Sequence, residues 1–444
     1  MNLEVGATPT TGRLTRLLDI QGIARPLAWG YVGLTLFMVG DGIEQGFLAP
    51  YLNHIGFSAA SIATLFSAYG VVVAVCAWLA GALAEAWGPR RVILIGASLW
   101  VLLEIAFLVG VMHRNYPLMI ATFAVRAIGY PFFAYGFLVW VTMDTPDHVM
   151  GKAVGWYWFA NAMGLGVISA YFAGLVIPLV GALTTLWLTI AFVAAGGLII
   201  ATLVKSRATG SGGTLANTVS GLMRGVTIIK DKPRVGIGGI VRLINTISFY
   251  AFAVFLSVHM VNVIGFTLPQ WQAIWGTMLA ANVAANLLAG YISDRVGRIN
   301  VIAWGGGVGT ALSVLAFYYV PHVVGPNVAV VMAIGIVYGL ALGMYVPLSA
   351  VVPLLAPRHK ASAVAVLNLG AGLSNFGGPL LAGLVGPLGI TFVVWILAAL
   401  YILGVVLTFA LKQPGVEASD TASAHRGEAE PAEQVDVFRR PSSG

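Results

Sequence analysis

Charge is what this chain has least of. Asp, Glu, Lys and Arg make up 9% of its 444 residues, against about 25% in a soluble globular chain. With 59% of residues hydrophobic, no soluble fold of this length could cover its apolar surface. Cysteine occurs once, as Cys76 inside an apolar run, which excludes an intramolecular disulfide. No Walker loop occurs, and no His/Cys/acid cluster has metal-ligand spacing. Neither ATP as the direct energy source nor any cofactor is therefore expected. The polar catalytic loops of a membrane hydrolase or glycosyltransferase are also missing, which argues against an enzyme. The first 25 residues hold Glu4, Asp19 and three arginines without a long apolar core, unlike a cleavable signal peptide.

What is there is apolar length. Hydrophobic runs of about 20 residues or more match a hydrocarbon core of roughly 30 Å. They must be helices, because each backbone group needs an internal partner in lipid. A membrane barrel would instead show alternating segments of about ten residues. The 55 glycines suit helices that approach one another closely in a bundle. Breaks in the pattern predict an all-α membrane protein with six spans over 27–51, 59–86, 91–113, 116–143, 149–178 and 183–204. Six more follow over 236–263, 269–292, 299–320, 327–355, 359–387 and 389–411. The expected organisation is a cytoplasmic tail 1–26, a bundle 27–204, a linker 205–235, a bundle 236–411 and a disordered cytoplasmic tail 412–444. The linker carries Lys205, Arg207, Arg224, Lys230, Lys232 and Arg234.

With both termini inside, all but three of the 23 Lys and Arg fall in tails or cytoplasmic loops. The exceptions are Arg114 outside and Arg126 and Arg242 within spans. That is the positive-inside pattern, and it supports twelve spans. It also explains the net charge of +7 without nucleic acid, since the basic residues cap helices. The cell membrane, with bacterial inner membrane as the setting, lipid as the surroundings and a monomer as the unit, is the expected context.

The halves repeat. Gly81, Glu85 and Gly88 after the second span match Gly290, Asp294 and Gly297 after the eighth, each at an offset of 209. Lys152-Ala153 matches Lys360-Ala361, and Gly164-Leu165 matches Gly372-Leu373, both at 208. Ala173–Leu179 matches Ala382–Leu388 at 209. Six spans per half is even, so the repeats are parallel and related by an axis along the membrane normal, with substrate between them near the midplane.

On these residues the chain resembles the major facilitator superfamily over essentially its whole membrane-embedded length. The family's signature after helices 2 and 8 is Gly-x-x-x-Asp-Arg-x-Gly-Arg-[Arg/Lys]. The copy from Gly290 through Asp294, Arg295 and Gly297 to Arg298 matches well. The first keeps Gly81, Gly88, Arg90 and Arg91, with Glu85 for Asp and Ala86 for Arg. The resemblance implies a conformational latch between halves, with glycines giving tight helix contacts. Arg126 to Gly129 loosely resembles a helix 4 pattern of the family, and the antiporter mark Gly-Pro-x-x-Gly-Gly is absent from 149–178. Three stretches, Phe37–Phe47, Gly129–Trp140 and Gly151–Phe159, resemble the polyol permeases that carry ribitol and D-arabinitol.

Ionisable groups within a span are costly and mark functional paths. Asp41 and Glu44 lie three apart on one helix face, with Gln45 four from Asp41. Asp41 lies about 22 Å in from Pro26, and Arg126 about 15 Å in from the opposite surface. An ion pair between them is expected. The resemblance implies sugar/proton symport, with the first-span carboxylate taking the proton and the fourth-span arginine tuning it. Asp41 is then the proton site, Glu44 the second and Arg126 the tuning group, against a static ion pair. Glu104 reads as structural, and Arg242 as snorkelling to the surface.

A polyol needs amides that donate and accept, and aromatic faces for its C–H edges. The candidates are Gln45, Tyr130, Tyr135, Trp158, Asn161, Asn245, Asn282, Tyr345 and Asn368. Trp156, Tyr250, Asn286, Tyr338 and Asn375 extend them, while Trp271 and Trp275 read as interfacial anchors. The expected function is proton-coupled import of a small polyhydroxylated solute. The alternatives are a carboxylate carrier using Arg126 and Arg242, and a non-transporting solute sensor. Whether Arg126 is paired with Asp41 is what separates polyol from carboxylate.

Overall fold

The apolar runs fold as long helices because lipid offers their backbones no other hydrogen-bond partner. The computed structural model describes residues 21, 23–146, 149–205, 227–357 and 360–412. Much of the expected linker, and most of both expected tails, lie outside them. Among the described residues eleven helices are long and apolar enough to span. They are α2 (Ala59–Trp87), α3 (Pro89–Met112), α4 (Tyr116–Asp144), α5 (Met150–Val180) and α6 (Ala182–Thr202), then α7 (Pro233–Ile264), α8 (Leu268–Val296), α9 (Arg298–Val324), α10 (Val328–Leu354), α11 (Ser362–Leu388) and α12 (Ile390–Phe409). The remaining span, α1, is broken: Ala28–Gly42 and Leu48–His54 are separated by turns at 43–47. Twelve crossings leave both ends of the bundle on one side, here the terminal side.

The duplication is visible in the backbone. Ser58 caps α2 and Thr267 caps α8, each accepting from the backbone three residues on. They are 209 apart. The break in α1 has its mate in a π-helical turn at Phe252–Leu256 of α7, at the same offset. Such distortions recur at functional sites. The last glycines of the two signature copies, Gly88 and Gly297, turn the chain at φ 90° and 93°, a region that only glycine enters cheaply. These glycines make turns; the tight contacts expected of them are not what they provide.

Between the halves, α2 packs on α11 and α5 on α8. A Cβ at Gly70 would fall 2.2 Å from the Asn375 carbonyl oxygen, and one at Gly166 would fall 2.8 Å from Leu279; Leu279 is the repeat mate of Gly70, and Asn375 that of Gly166. The halves also meet on the side away from the termini. There Asn262 donates to Asn53 at 2.7 Å and Tyr171 bonds Thr277 at 2.7 Å. Toward the terminal side they part: Gly155 on α5 and Gly290 on α8 have no other-half neighbour within 4 Å of an added Cβ. The molecule is closed on the far side and open toward the terminal side. Apolar side chains such as Leu179, Leu198 and Val323 stay exposed on the outer surface, as lipid contact requires.

In this state the signature charges make contacts within their own halves. Arg90 donates to the Ala201 carbonyl at the end of α6, and Arg295 lies 4.2 Å over the Tyr291 ring. Asp294 and Arg298 are 3.9 Å apart on exposed surface, and Glu85 is exposed.

Candidate functional site

The opening between the halves ends in a cavity, about 640 Å³ when the space open to solvent is counted with it. The break in α1 supplies Asp41, Glu44 and Gln45 to its wall. Turning the helix with three-residue bonds, such as Phe47 N–H to the Glu44 carbonyl, aims those side chains inward. Phe66 and Tyr69 come from α2, Phe123 and Tyr130 from α4, and Leu165 from α5. The C-terminal half adds Phe249, Tyr250 and Ala253 from α7, with Asn375 and Pro379 from α11. Acids, amides, phenols and aromatic faces line it, and no Lys or Arg does.

The charges behind this wall are arranged differently from the expected Asp41–Arg126 pair. Arg126 is fully buried and donates to both Glu44 and Glu104. A second guanidinium bond reaches Glu44 Oε2 at 3.1 Å. Trp100 and Phe123 flank it with ring centroids 4.8 and 4.5 Å away, a cation–π setting strengthened by desolvation. Asp41 is held separately: Trp100 Nε1 donates to its Oδ1 at 2.7 Å, and the Tyr69 hydroxyl is 3.5 Å from the same oxygen. Glu44 is one turn nearer Arg126 along α1, which is why it takes the guanidinium. Glu104, read from sequence as structural, is the second partner of Arg126, and its Oε1 has no hydrogen bond.

The other candidates divide. Gln45 and Tyr130 line the cavity, and the Gln45 Oε1 has no partner. Tyr135 neighbours Tyr130 with ring centroids 6.0 Å apart. Tyr250 and Asn375 line the cavity, and the Asn375 Nδ2 donates to the Ala371 carbonyl of its own helix at 3.2 Å. Asn161 is buried with its Nδ2 unpartnered. Trp158 and Asn368 are exposed, toward the terminal side. Three face away. Tyr345 is buried against Gly306 and Gly307 of α9, Asn282 donates to the Gly339 carbonyl of α10, and Asn245 is buried where Tyr401 of α12 bonds its carbonyl. These, and Tyr338 bonded to Ser248, hold the second bundle together. Trp271 and Trp275 are buried, correcting their reading as interfacial anchors.

Sequence reasoning missed Tyr69, Phe66, Phe123 and Phe249. The last lies one residue before the mate of Asp41, so the repeat offset was a signal for it; ordinary aromatics in α2 and α4 gave none.

Arg242 also departs from expectation. It lies nine residues into α7, about 13 Å from Pro233, too deep to read as a helix-end residue. It is half-buried and within electrostatic reach of Tyr135 and Tyr250.

The comparisons with known proteins agree with this architecture. The model of the Major Facilitator Superfamily matches residues 30–234 and again 238–442. The "Alpha-ketoglutarate permease" of Bacillus subtilis (strain 168) is 41% identical over 394 residues, covering 88% of this chain and 90% of that protein. The "Ribitol transporter" of Klebsiella pneumoniae is 37% identical over 403 residues, 89% of this chain and 94% of that one. The "D-arabinitol transporter" of the same organism is 35% identical over 401 residues, 89% and 94% of the two chains. Two six-helix repeats around a polar cavity, a family match across both and transporter relatives along nearly the whole length lead to one conclusion: the chain is a multi-pass membrane transporter, not an enzyme, and belongs to the major facilitator superfamily.

Proposed function

We propose that the chain imports a small polyhydroxylated solute, a sugar alcohol such as a pentitol or a related sugar, by proton symport through alternating access. The observation that carries this is the cavity wall. Gln45, Asn375, Tyr130 and Tyr250 offer donors and acceptors for a row of hydroxyls, beside the faces of Phe66, Phe123 and Phe249. The ribitol and D-arabinitol transporters among the relatives support the solute class.

Proton coupling follows from charge balance. Three carboxylates, Asp41, Glu44 and Glu104, are buried near one guanidinium, which bonds only the two glutamates. Burying an uncompensated carboxylate is costly, so protons are the natural counter-charge. Asp41 is the first proton site, since it touches the cavity without an arginine bond. Glu44 is the second, because its protonation would release Arg126. The open terminal side is the cytoplasmic one, with both termini cytoplasmic in a bacterial inner membrane and a monomer as the transporting unit.

A second reading, carboxylate transport, is favoured by the alpha-ketoglutarate permease among the relatives. Arg126 does not serve it, because two glutamates already occupy the guanidinium. The test is uptake by reconstituted vesicles across pentitols, hexitols, sugars and carboxylates, with and without an inward proton gradient. Pentitol accumulation that needs the gradient is expected, and absence of any polyol uptake rejects the reading. Asp41→Asn should abolish uphill accumulation and keep counterflow exchange; full accumulation by that variant removes Asp41 from the mechanism.

A further inference from the structure

Below the cavity, toward the terminal side, helical register sets a second group of polar residues on the helices that line it. On α7, Arg242 precedes Phe249 and Tyr250 by seven and eight residues, two turns on the same face. On α11, Asn368 precedes Asn375 by seven; on α5, Trp158 precedes Leu165 by seven. On α4, which runs the other way, Tyr135 follows Tyr130 by five. Each therefore lies roughly 7–12 Å from a cavity-lining residue of its own helix, on the way out. Trp158, at 46% exposure, and Asn368 are exposed, while Arg242 and Tyr135 keep only partial access to solvent. The two layers are joined by a 2.7 Å hydroxyl bond between Thr246 and Ser374 on α7 and α11.

Among the described residues no carboxylate pairs with Arg242 within 4 Å, and the groups in its electrostatic reach are the phenols Tyr135 and Tyr250. An arginine held in a wall without an acid differs sharply from Arg126, whose charge is spent inside the protein. Its planar fork matches a carboxylate in bidentate fashion. One positive charge balances one carboxylate, whereas a phosphate dianion would bring a second charge with nothing to meet it.

We propose that Arg242 anchors a second solute station, two helical turns nearer the terminal side than the cavity, which takes a carboxylate. The solutes carried then include polyhydroxylated acids, whose hydroxyls use the same amides and phenols as a neutral polyol. This rests on the cavity being the solute site. Tyr135 donates beside the guanidinium, Trp158 offers a face to the C–H edge, and Asn368 completes the station across the opening.

The experiment compares a pentitol with the pentonate of the same stereochemistry in vesicles carrying the full chain. The wild type should take up both. Arg242→Gln should lower the pentonate-to-pentitol uptake ratio at least tenfold, and Arg242→Lys, keeping charge but not the fork, should recover part of it. An unchanged ratio in Arg242→Gln, or a wild type that carries pentitol and no pentonate, overturns the station. Calorimetric titration of pentonate into the purified protein keeps this apart from failure of the polyol reading. Binding lost in Arg242→Gln upholds the station even if no pentitol is carried, and binding absent from the wild type or unchanged in the variant rejects it.

Discussion

The two halves share a backbone plan and divide the chemistry unequally. Asp41 of α1 has Tyr250 of α7 as its mate at 209, and Glu44 has Ala253; all four line the same cavity. Glu104 has Ser313 as its mate and Trp100 has Gly309; the matching caps of α4 and α10, Asn115 and Asn327, are 212 apart, which sets the buried Tyr338 opposite Arg126. Ser313 is buried and bonds only to the Gly309 carbonyl of its own helix. One half thus encloses a network of four ionisable groups, while the other presents phenol, amide and aromatic groups at equivalent places. Backbone features survive the divergence, since the α1 break and the α7 π-turn coincide. A helix distortion is set by packing around it, whereas a buried charge needs several matched partners and is kept only where all of them are present.

The sharpest way to break this comparison is to unbalance the charged half. Arg126→Gln leaves Glu44 and Glu104 buried without their cation, which should cost about 3–5 kcal/mol. A large fall in melting temperature and loss of uptake are the expected outcome. Combining it with Glu44→Gln and Glu104→Gln removes the charges together, and should recover most of the melting temperature without restoring accumulation. If the triple variant stays as unstable as the single one, the network is not held by charge balance.

The second contrast sets Asp41 against its mate. Tyr250→Phe removes one cavity hydroxyl while leaving the ring, with a loss of about 0.5–1.5 kcal/mol for a hydrogen bond. That corresponds to a roughly twofold to tenfold rise in KM for a pentitol, with the accumulation ratio kept. Asp41→Asn should show the reverse pattern, coupling lost and exchange kept. Coupling lost in Tyr250→Phe would end the division of labour between halves.

Much of this architecture was legible because lipid enforces it. Both ends of each of the eleven spans α2 to α12 fall within a few residues of those expected from apolar length, since leaving hydrocarbon and ending a helix occur together. The α1 break was not legible: Ile43 and Phe47 are apolar, and the glycines around them also fit a continuous membrane helix. The acid and arginine positions were legible because ionised groups are rare in spans. Their pairing was not, because a depth estimate ranks Asp41 and Glu44 alike and cannot see that Trp100 of α3 occupies Asp41. Asn282, Asn245 and Tyr345 were plausible solute ligands by type; only the bundle geometry turns them toward α9, α10 and α12.

The smallest effect tests the symmetry itself. Asn53 and Asn262 are repeat mates and hydrogen-bond one another at 2.7 Å on the closed side, where the two halves meet. Being exposed, the bond should contribute no more than about 0.5–1.5 kcal/mol, enough to shift the balance of the two access states by about twofold to tenfold. Asn53→Ala and Asn262→Ala break the same bond, so both should raise the far-side labelling rate of a cysteine introduced at Ala63, which packs against Gly383 of the other half. The native Cys76 is replaced for this measurement. The double variant should label no faster than either single one, the non-additivity of two partners in one contact. Additive increases would mean that each asparagine acts through its own half, and the contact between mates would then carry no part of the closure.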